Sequence, residues 1–161
     1  MGIIHPHLWY DDNAVEAAEF YVSVFPNSRI IRVVDAPTDM PGVAAGAPFL
    51  VEYELDGQRV EAIAAGPSLQ LTAAFSFVVD CETQEEIDRY WDALLAGGGK
   101  EVACGWLQDR FGLSWQIVPR SLYEMTISPD ADPAGAARAT KEMLGQVKFD
   151  IAALKAAYEG P

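Results

Sequence analysis

Histidine, cysteine and basic residues are what this chain has least of. Its 161 residues include two histidines, His5 and His7, and two cysteines, Cys81 and Cys104. Cysteines so few and so far apart form neither a zinc-type spacing nor a disulfide framework, which fits a reduced, cytoplasmic setting. Neither has a base beside it in sequence, so both read as small buried hydrophobes rather than nucleophiles. Lys and Arg number 11 against 24 Asp and Glu, for a net charge of −13. Phosphate backbones and anionic lipids repel such a chain, so neither nucleic acid nor membrane is expected as a partner. No apolar run has the length of a membrane span. The start, Met1-Gly2-Ile3-Ile4-His5, lacks the basic residues and apolar stretch of a leader. Gly97-Gly98-Gly99 follows a helical segment rather than a strand, so it reads as a helix cap, and the dinucleotide and P-loop patterns are missing.

What is present is a repeat. Half of the residues are apolar, enough for an ordinary core and too many for a disordered chain. Leu8-Trp9-Tyr10-Asp11-Asp12 reads as a strand ending in an acidic pair, then a helix near 13–25 that closes on Phe20-Tyr21. The same grammar returns as Phe77-Val78-Val79-Asp80, then a helix near 83–95 carrying Tyr90-Trp91. Each copy continues into strands, so the order is strand, helix, three strands, twice over. A duplicated unit of this kind implies a tandem fold with its site between the copies. Asp11 or Asp12 is the expected cap of the first helix. Residues 35–48, with Pro37, Pro41, Pro48, Gly42 and Gly46, form a long loop, read either as a lid or as a plain surface insertion. After Pro119 the periodicity turns helical, with Asp132-Pro133 marking a helix start.

The hairpin around Asp56-Gly57 gives the chemistry its clearest outline. A two-residue turn places Glu54 opposite Arg59, Tyr53 opposite Val60 and Glu52 opposite Glu61. Val51, Tyr53, Leu55, Val60 and Ala62 then share an apolar side, and Glu52, Glu54, Arg59 and Glu61 the other. Arg59 is expected to pair with Glu54. That leaves Glu52 and Glu61 opposed, a like-charge contact that water, a cation or a proton must relieve. Either this is a solvated polar face, or it is a carboxylate pair at the mouth of a metal or ligand cavity. His5, His7 and Trp9 alternate onto one face of the first strand. Two imidazoles so placed can aim at a metal or make ordinary hydrogen bonds. Trp106 and Trp115 suit a core or a pocket wall. Ser76 and Gln116 lie mid-strand among apolar neighbours, where each needs a polar partner.

Several segments together carry a resemblance over about residues 3–120. They are Leu8-Trp9-Tyr10-Asp11 through Phe20-Tyr21, Phe25-Pro26-Asn27-Ser28, Glu54-Leu55-Asp56-Gly57-Gln58, Phe75 to Val79, Asp88 to Leu94, and Cys104 to Pro119. The chain resembles the vicinal oxygen chelate superfamily of glyoxalases, dioxygenases and bleomycin-resistance proteins, and within it the PhnB-like branch, labelled 3-demethylubiquinone-9 3-methyltransferase. The resemblance implies an α+β fold of tandem βαβββ modules, about 3–66 and 72–119, forming a curved mixed sheet cup. It makes residues 1–120 one domain and 121–161 a helical extension on the domain or on a dimer partner.

In metal-dependent relatives of this kind, one ligand comes from the first and fourth strand of each module. The matching places here are His5, Glu61, Ser76 and Gln116. Half of the set is thus retained, with His5 and Glu61 as metal ligands, and His7, Glu52 or Gln116 as supplements. The expected function is small-molecule binding in the cup, by His7, Trp9, Glu52, Ser76, Trp106 and Gln116. The alternative is a lyase, isomerase or dioxygenase using a divalent ion (Zn, Mn or Fe) with Glu61 as base. A third is a dimeric interaction module without ligand; under any of these readings the resemblance implies a homodimer. Methyl transfer is not expected, because the glycine-rich turn of a nucleotide-type methyl donor is missing.

Overall fold

The computed structural model describes residues 3–160. The reading of the first residues as carrying no leader falls in part on Met1 and Gly2, which lie outside them. The chain divides into two units, one up to Thr72 and one from Ala73. The helical extension falls in the second unit, with the second βαβββ module.

The first unit runs β1 (His7–Tyr10), α1 (Ala14–Val24), β2 (Arg29–Asp35), β3 (Pro48–Leu55) and β4 (Gln58–Ala64). Its sheet has the order β1-β4-β3-β2, with β1 parallel to β4 and the other pairs antiparallel. Alternation decides which side is buried. Val51, Tyr53, Val60 and Ala62 are fully buried, and α1 lies against β3 and β4. Ala14, Ala17 and Ala18 let that helix approach closely, and Tyr21 fills the space beside Tyr53 with ring centroids 6.4 Å apart. The Tyr10 and Tyr21 hydroxyls meet at 3.2 Å, so neither is buried without a partner.

The hairpin has the register read from the sequence, Glu52 opposite Glu61 and Glu54 opposite Arg59. Asp56 and Gly57 both take positive φ, 46° and 80°, as a primed two-residue turn requires. Two local expectations fail. The strand expected over 3–10 begins only at His7, and Ile4 is 86% exposed. Pro6 has no N–H for the ladder, although its carbonyl accepts from Glu61 N–H at 3.0 Å. The helix starts after Asn13, with no side-chain cap. Asp11 lies two residues before that N-cap position, and its backbone carbonyl extends the ladder by accepting from Gly66 N–H at 2.8 Å.

The long loop is an organised turn. Met40 and Val43 exchange two backbone hydrogen bonds, Ala36 is tied to Ala47 and Gly46, and Asp39 accepts from Ala45 N–H at 2.9 Å. A Cβ on Gly42 would meet Gly66 Cα at 2.7 Å, so only glycine fits where the loop rests on the end of the module.

The second unit repeats the first: β5 (Ser76–Cys81), α2 (Gln84–Leu95), β6 (Lys100–Glu101), β7 (Trp106–Gln108) and β8 (Ser114–Pro119). Its sheet order is β5-β8-β7-β6, again with the first and fourth strands parallel. Thr83 caps α2 by accepting from Glu86 N–H. Gly97 to Gly99 lie between α2 and β6. The turn 109–112 is built on Asp109, whose buried carboxylate accepts from Phe111 N–H (2.8 Å), Leu113 N–H (3.0 Å) and Trp115 Nε1–H (2.8 Å). Burial pushes the Cys81 thiol up to about 12, so it is an inert core group.

Three helices follow, α3 (Arg120–Thr126), α4 (Pro133–Gly145) and α5 (Ile151–Glu159). Asp132 caps α4 through Gly135 N–H at 2.6 Å. The segment between α4 and α5 is sewn to the second module. Cys104 and Gly105 donate to the Gln146 and Val147 carbonyls, both at 2.8 Å. Gln84 donates to the Phe149 carbonyl at 3.0 Å and accepts from Ile151 N–H at 3.0 Å. Phe149 is buried against Gly105, where any Cβ would clash with its ring.

Candidate functional site

Each module places polar residues on the sheet face away from its helix. In the first module, His7, Glu61, Glu52 and Arg32 stand in register across all four strands. The neighbouring row is Arg59, Glu54 and Arg29. Both rows face one way because of an irregularity in β2. Arg29 and Arg32 are three apart, which on a regular strand puts them on opposite faces. The register shifts between Ile30 and Arg32, and both arginines come to the polar side.

The Glu52–Glu61 opposition is relieved by these arginines. Arg59 Nη2 lies 2.7 Å from Glu61 Oε1 and 3.2 Å from Glu52 Oε1, bridging the pair. Arg32 donates to the same Glu52 oxygen. Glu54, expected to hold Arg59, is instead paired with Arg29 at 2.8 Å. Arg59 therefore goes to the pair of carboxylates where its charge is needed most. Glu52 is 6% exposed, and a carboxylate so buried needs compensation. The Arg32 hydrogen bond outweighs burial and holds the Glu52 carboxyl below its ordinary value.

His5 joins this group, with Nε2 at 3.3 Å from Glu61 Oε1. Its Nδ1 is buried and has no hydrogen-bond partner. His7 is exposed at the strand start, in register with Glu61. Trp9 is on the same face, but its Nε1–H is given to the Gly66 carbonyl at 2.8 Å, so its polar atom holds the module together. In the second module, Gln116 donates to Ser76 Oγ at 2.9 Å, so these two mid-strand polar residues satisfy each other. Trp106 is half-buried and in register with Gln116. The residues singled out in the sequence thus form two groups, one on each module. Sequence reasoning missed Arg32, and it gave Arg59 the wrong partner.

The fit to a divalent ion can be tested on these contacts. His5 Nε2 and Glu61 Oε1 are close enough to share one. However, Glu61 Oε1 already accepts from Arg59, and two guanidinium charges occupy the carboxylates that would neutralise the ion. Among the described residues no group of three or more His, Cys, Asp and Glu side chains is arranged to hold a metal. The first module, as folded, does not fit a resident divalent ion.

A family model described as 3-demethylubiquinone-9 3-methyltransferase matches residues 3–118. Among solved structures, the chain is similar to the PhnB protein from Bacillus cereus, at 29% identity over 73% of this chain and 99% of that one, with a TM-score of 0.64. A protein from Pseudomonas aeruginosa is 20% identical over 74% of this chain and 98% of its own, with a TM-score of 0.55. The fosfomycin resistance protein FosX from Listeria monocytogenes is 20% identical over 76% of this chain and 94% of its own, with a TM-score of 0.55. FosX has also been solved with Mn(II) and a sulfate ion. At these identities the last two comparisons speak for the fold. None of the curated proteins is detectably similar to the chain.

Proposed function

The chain belongs to the 3-demethylubiquinone-9 3-methyltransferase family, the PhnB-like branch of the glyoxalase superfamily, and from that membership we propose that it binds a small polar molecule. The first module's contacts in this reading are His5, His7, Glu52 and Glu61. Ser76, Trp106 and Gln116 are proposed contacts on the second module's own face. One observation carries the reading: the buried, unpartnered Nδ1 of His5 beside Glu61. A buried polar atom without a partner is uncommon enough to demand a reason, and a ligand hydroxyl or amide would supply one. Glu61, read from the sequence as a base, becomes in this proposal a ligand-holding group, since its Oε1 already accepts from Arg59.

Methyl transfer is not part of the proposal. The strand-to-helix turns within the two modules are Asp11-Asp12-Asn13 and Glu82-Thr83, and Pro119 leads straight into α3; none has the glycines that let a nucleotide cofactor approach the backbone. Homodimerisation and a cytoplasmic location remain part of the proposal. No helix among the described residues is long and apolar enough to cross a membrane.

Thermal unfolding against a panel of polar metabolites tests binding, because any ligand of the folded state raises the midpoint. We expect at least one compound to stabilise the protein, with affinity reduced roughly tenfold in His5→Ala, the loss of about one hydrogen bond. A compound that binds His5→Ala and the unaltered protein equally would place the site elsewhere.

A further inference from the structure

We infer that Arg59, backed by Arg32, is the first module's built-in cation, and that it keeps divalent metal ions off the His5–Glu52–Glu61 face. The inference does not depend on the binding of a small molecule.

Three carboxylates, three guanidiniums and two imidazoles share this face. Glu54 is served by Arg29. Among the described residues these carboxylates and imidazoles are not arranged as a metal group. With Arg59 gone, Glu52, Glu61 and His5 would be free to draw together on an ion beside Arg32 and the exposed His7, as a two-carboxylate, one-imidazole set of the kind that binds zinc or manganese with positions left open. Arg59 Nη2 sits between the two carboxylate oxygens at 2.7 and 3.2 Å, the place from which a bridging ion would contact both. Its side chain is 28% exposed against 8% for Glu52, so the guanidinium is held mostly within the group. A second guanidinium, Arg32, holds Glu52 from the strand beyond. An incoming dication would have to displace one fixed cation while standing close to another. The alternating run Gln58-Arg59-Val60-Glu61 thus places the inhibitor of metal binding two residues from the carboxylate that it guards, on the same face of one strand.

Zinc and manganese titrations on chelator-treated protein, followed by calorimetry and thermal shift, test this directly. The unaltered protein should show no saturable one-equivalent binding that depends on Glu61. Arg59→Met should gain such a site, at least 100-fold tighter than anything in the unaltered protein, with zinc ahead of manganese. Adding Glu61→Gln to it should abolish the gain. Arg59→Lys keeps a cation on the face and should exclude metal as the parent does. Two results would overturn the inference: an unaltered protein that takes one equivalent lost on Glu61→Gln, or a folded Arg59→Met that gains nothing. If Arg59→Met does not unfold cooperatively, Arg59→Gln takes its place, with the same gain expected and the same lack of gain overturning the inference.

Discussion

Place the two modules side by side at their fourth strands. In the first, Glu61 is flanked across the sheet by His7, Glu52 and Arg32. In the second, Gln116 occupies the same topological place, flanked by Val78 and Trp106, with Val102 bonded through its N–H to the Trp106 carbonyl. The diagonal partner is His5 in one case and Ser76 in the other, each within reach of the fourth-strand residue. One scaffold therefore carries a row of charges in one copy and a neutral row in the other. The helix-facing sides are alike, alternating apolar residues under an amphipathic helix. Folding constrains that side twice in the same way. The open side is constrained only to satisfy its own polar atoms, and there the copies have diverged.

Four changes would break or sharpen this contrast. The largest effect belongs to the second module, which carries the helical extension. Phe149→Ala should cost about 3–5 kcal/mol in urea unfolding, since it empties a fully enclosed aromatic site. Next is the charged row. Arg59→Met leaves Glu52 and Glu61 facing each other and should cost about 1–3 kcal/mol. Its neutral counterpart, Ser76→Ala, removes one uncharged hydrogen bond and should cost about 1 kcal/mol. Smallest is Arg29→Gln, a pair with its arginine 70% exposed, which should cost less than about 1 kcal/mol and vanish in high salt.

The charged row also predicts a difference in acid. Arg32 lowers the Glu52 carboxyl from its ordinary 4.5 in the folded state. The folded chain then binds fewer protons than the unfolded one, so this stabilisation is complete above the ordinary value and is lost as pH falls through the lowered one. Glu52→Gln should flatten that part of the acid limb in unfolding midpoints measured from about pH 6 to about pH 3. Asp88 keeps its own share, because Lys148 lowers it in the second module.

Much of this was legible in the residues. Asp56-Gly57 set the hairpin register, because only a primed turn lets two such strands pair closely, and every opposition across it followed. The duplication showed in two strand-helix units ending on aromatic pairs. Arg32 stayed hidden because the shift at Ile31 breaks the period of two on which face assignment rests. Arg59 was misassigned because the directly opposed Glu54 looked like its partner, while a second arginine that could satisfy Glu54 was out of sight. The cap at Asp11 was misread because the helix begins two residues later than expected, after Asn13, while the Asp11 backbone still pairs with Gly66, more than fifty positions away in the chain. Local rules hold here until a register shift or a partner from another strand intervenes.

Gln84 has one more consequence. Its single amide serves as acceptor for one strand-like segment and donor to the same segment one residue-pair away, so the first turn of α2 reads the stretch around Phe149 much as a sheet edge would. The family match stops at residue 118, well short of that stretch. A gene trimmed to the shared boundaries would express a protein with a bare aromatic socket over Gly105 and two orphaned amides at Cys104 and Gly105, an invitation to clump in the cell rather than a minimal version of the molecule.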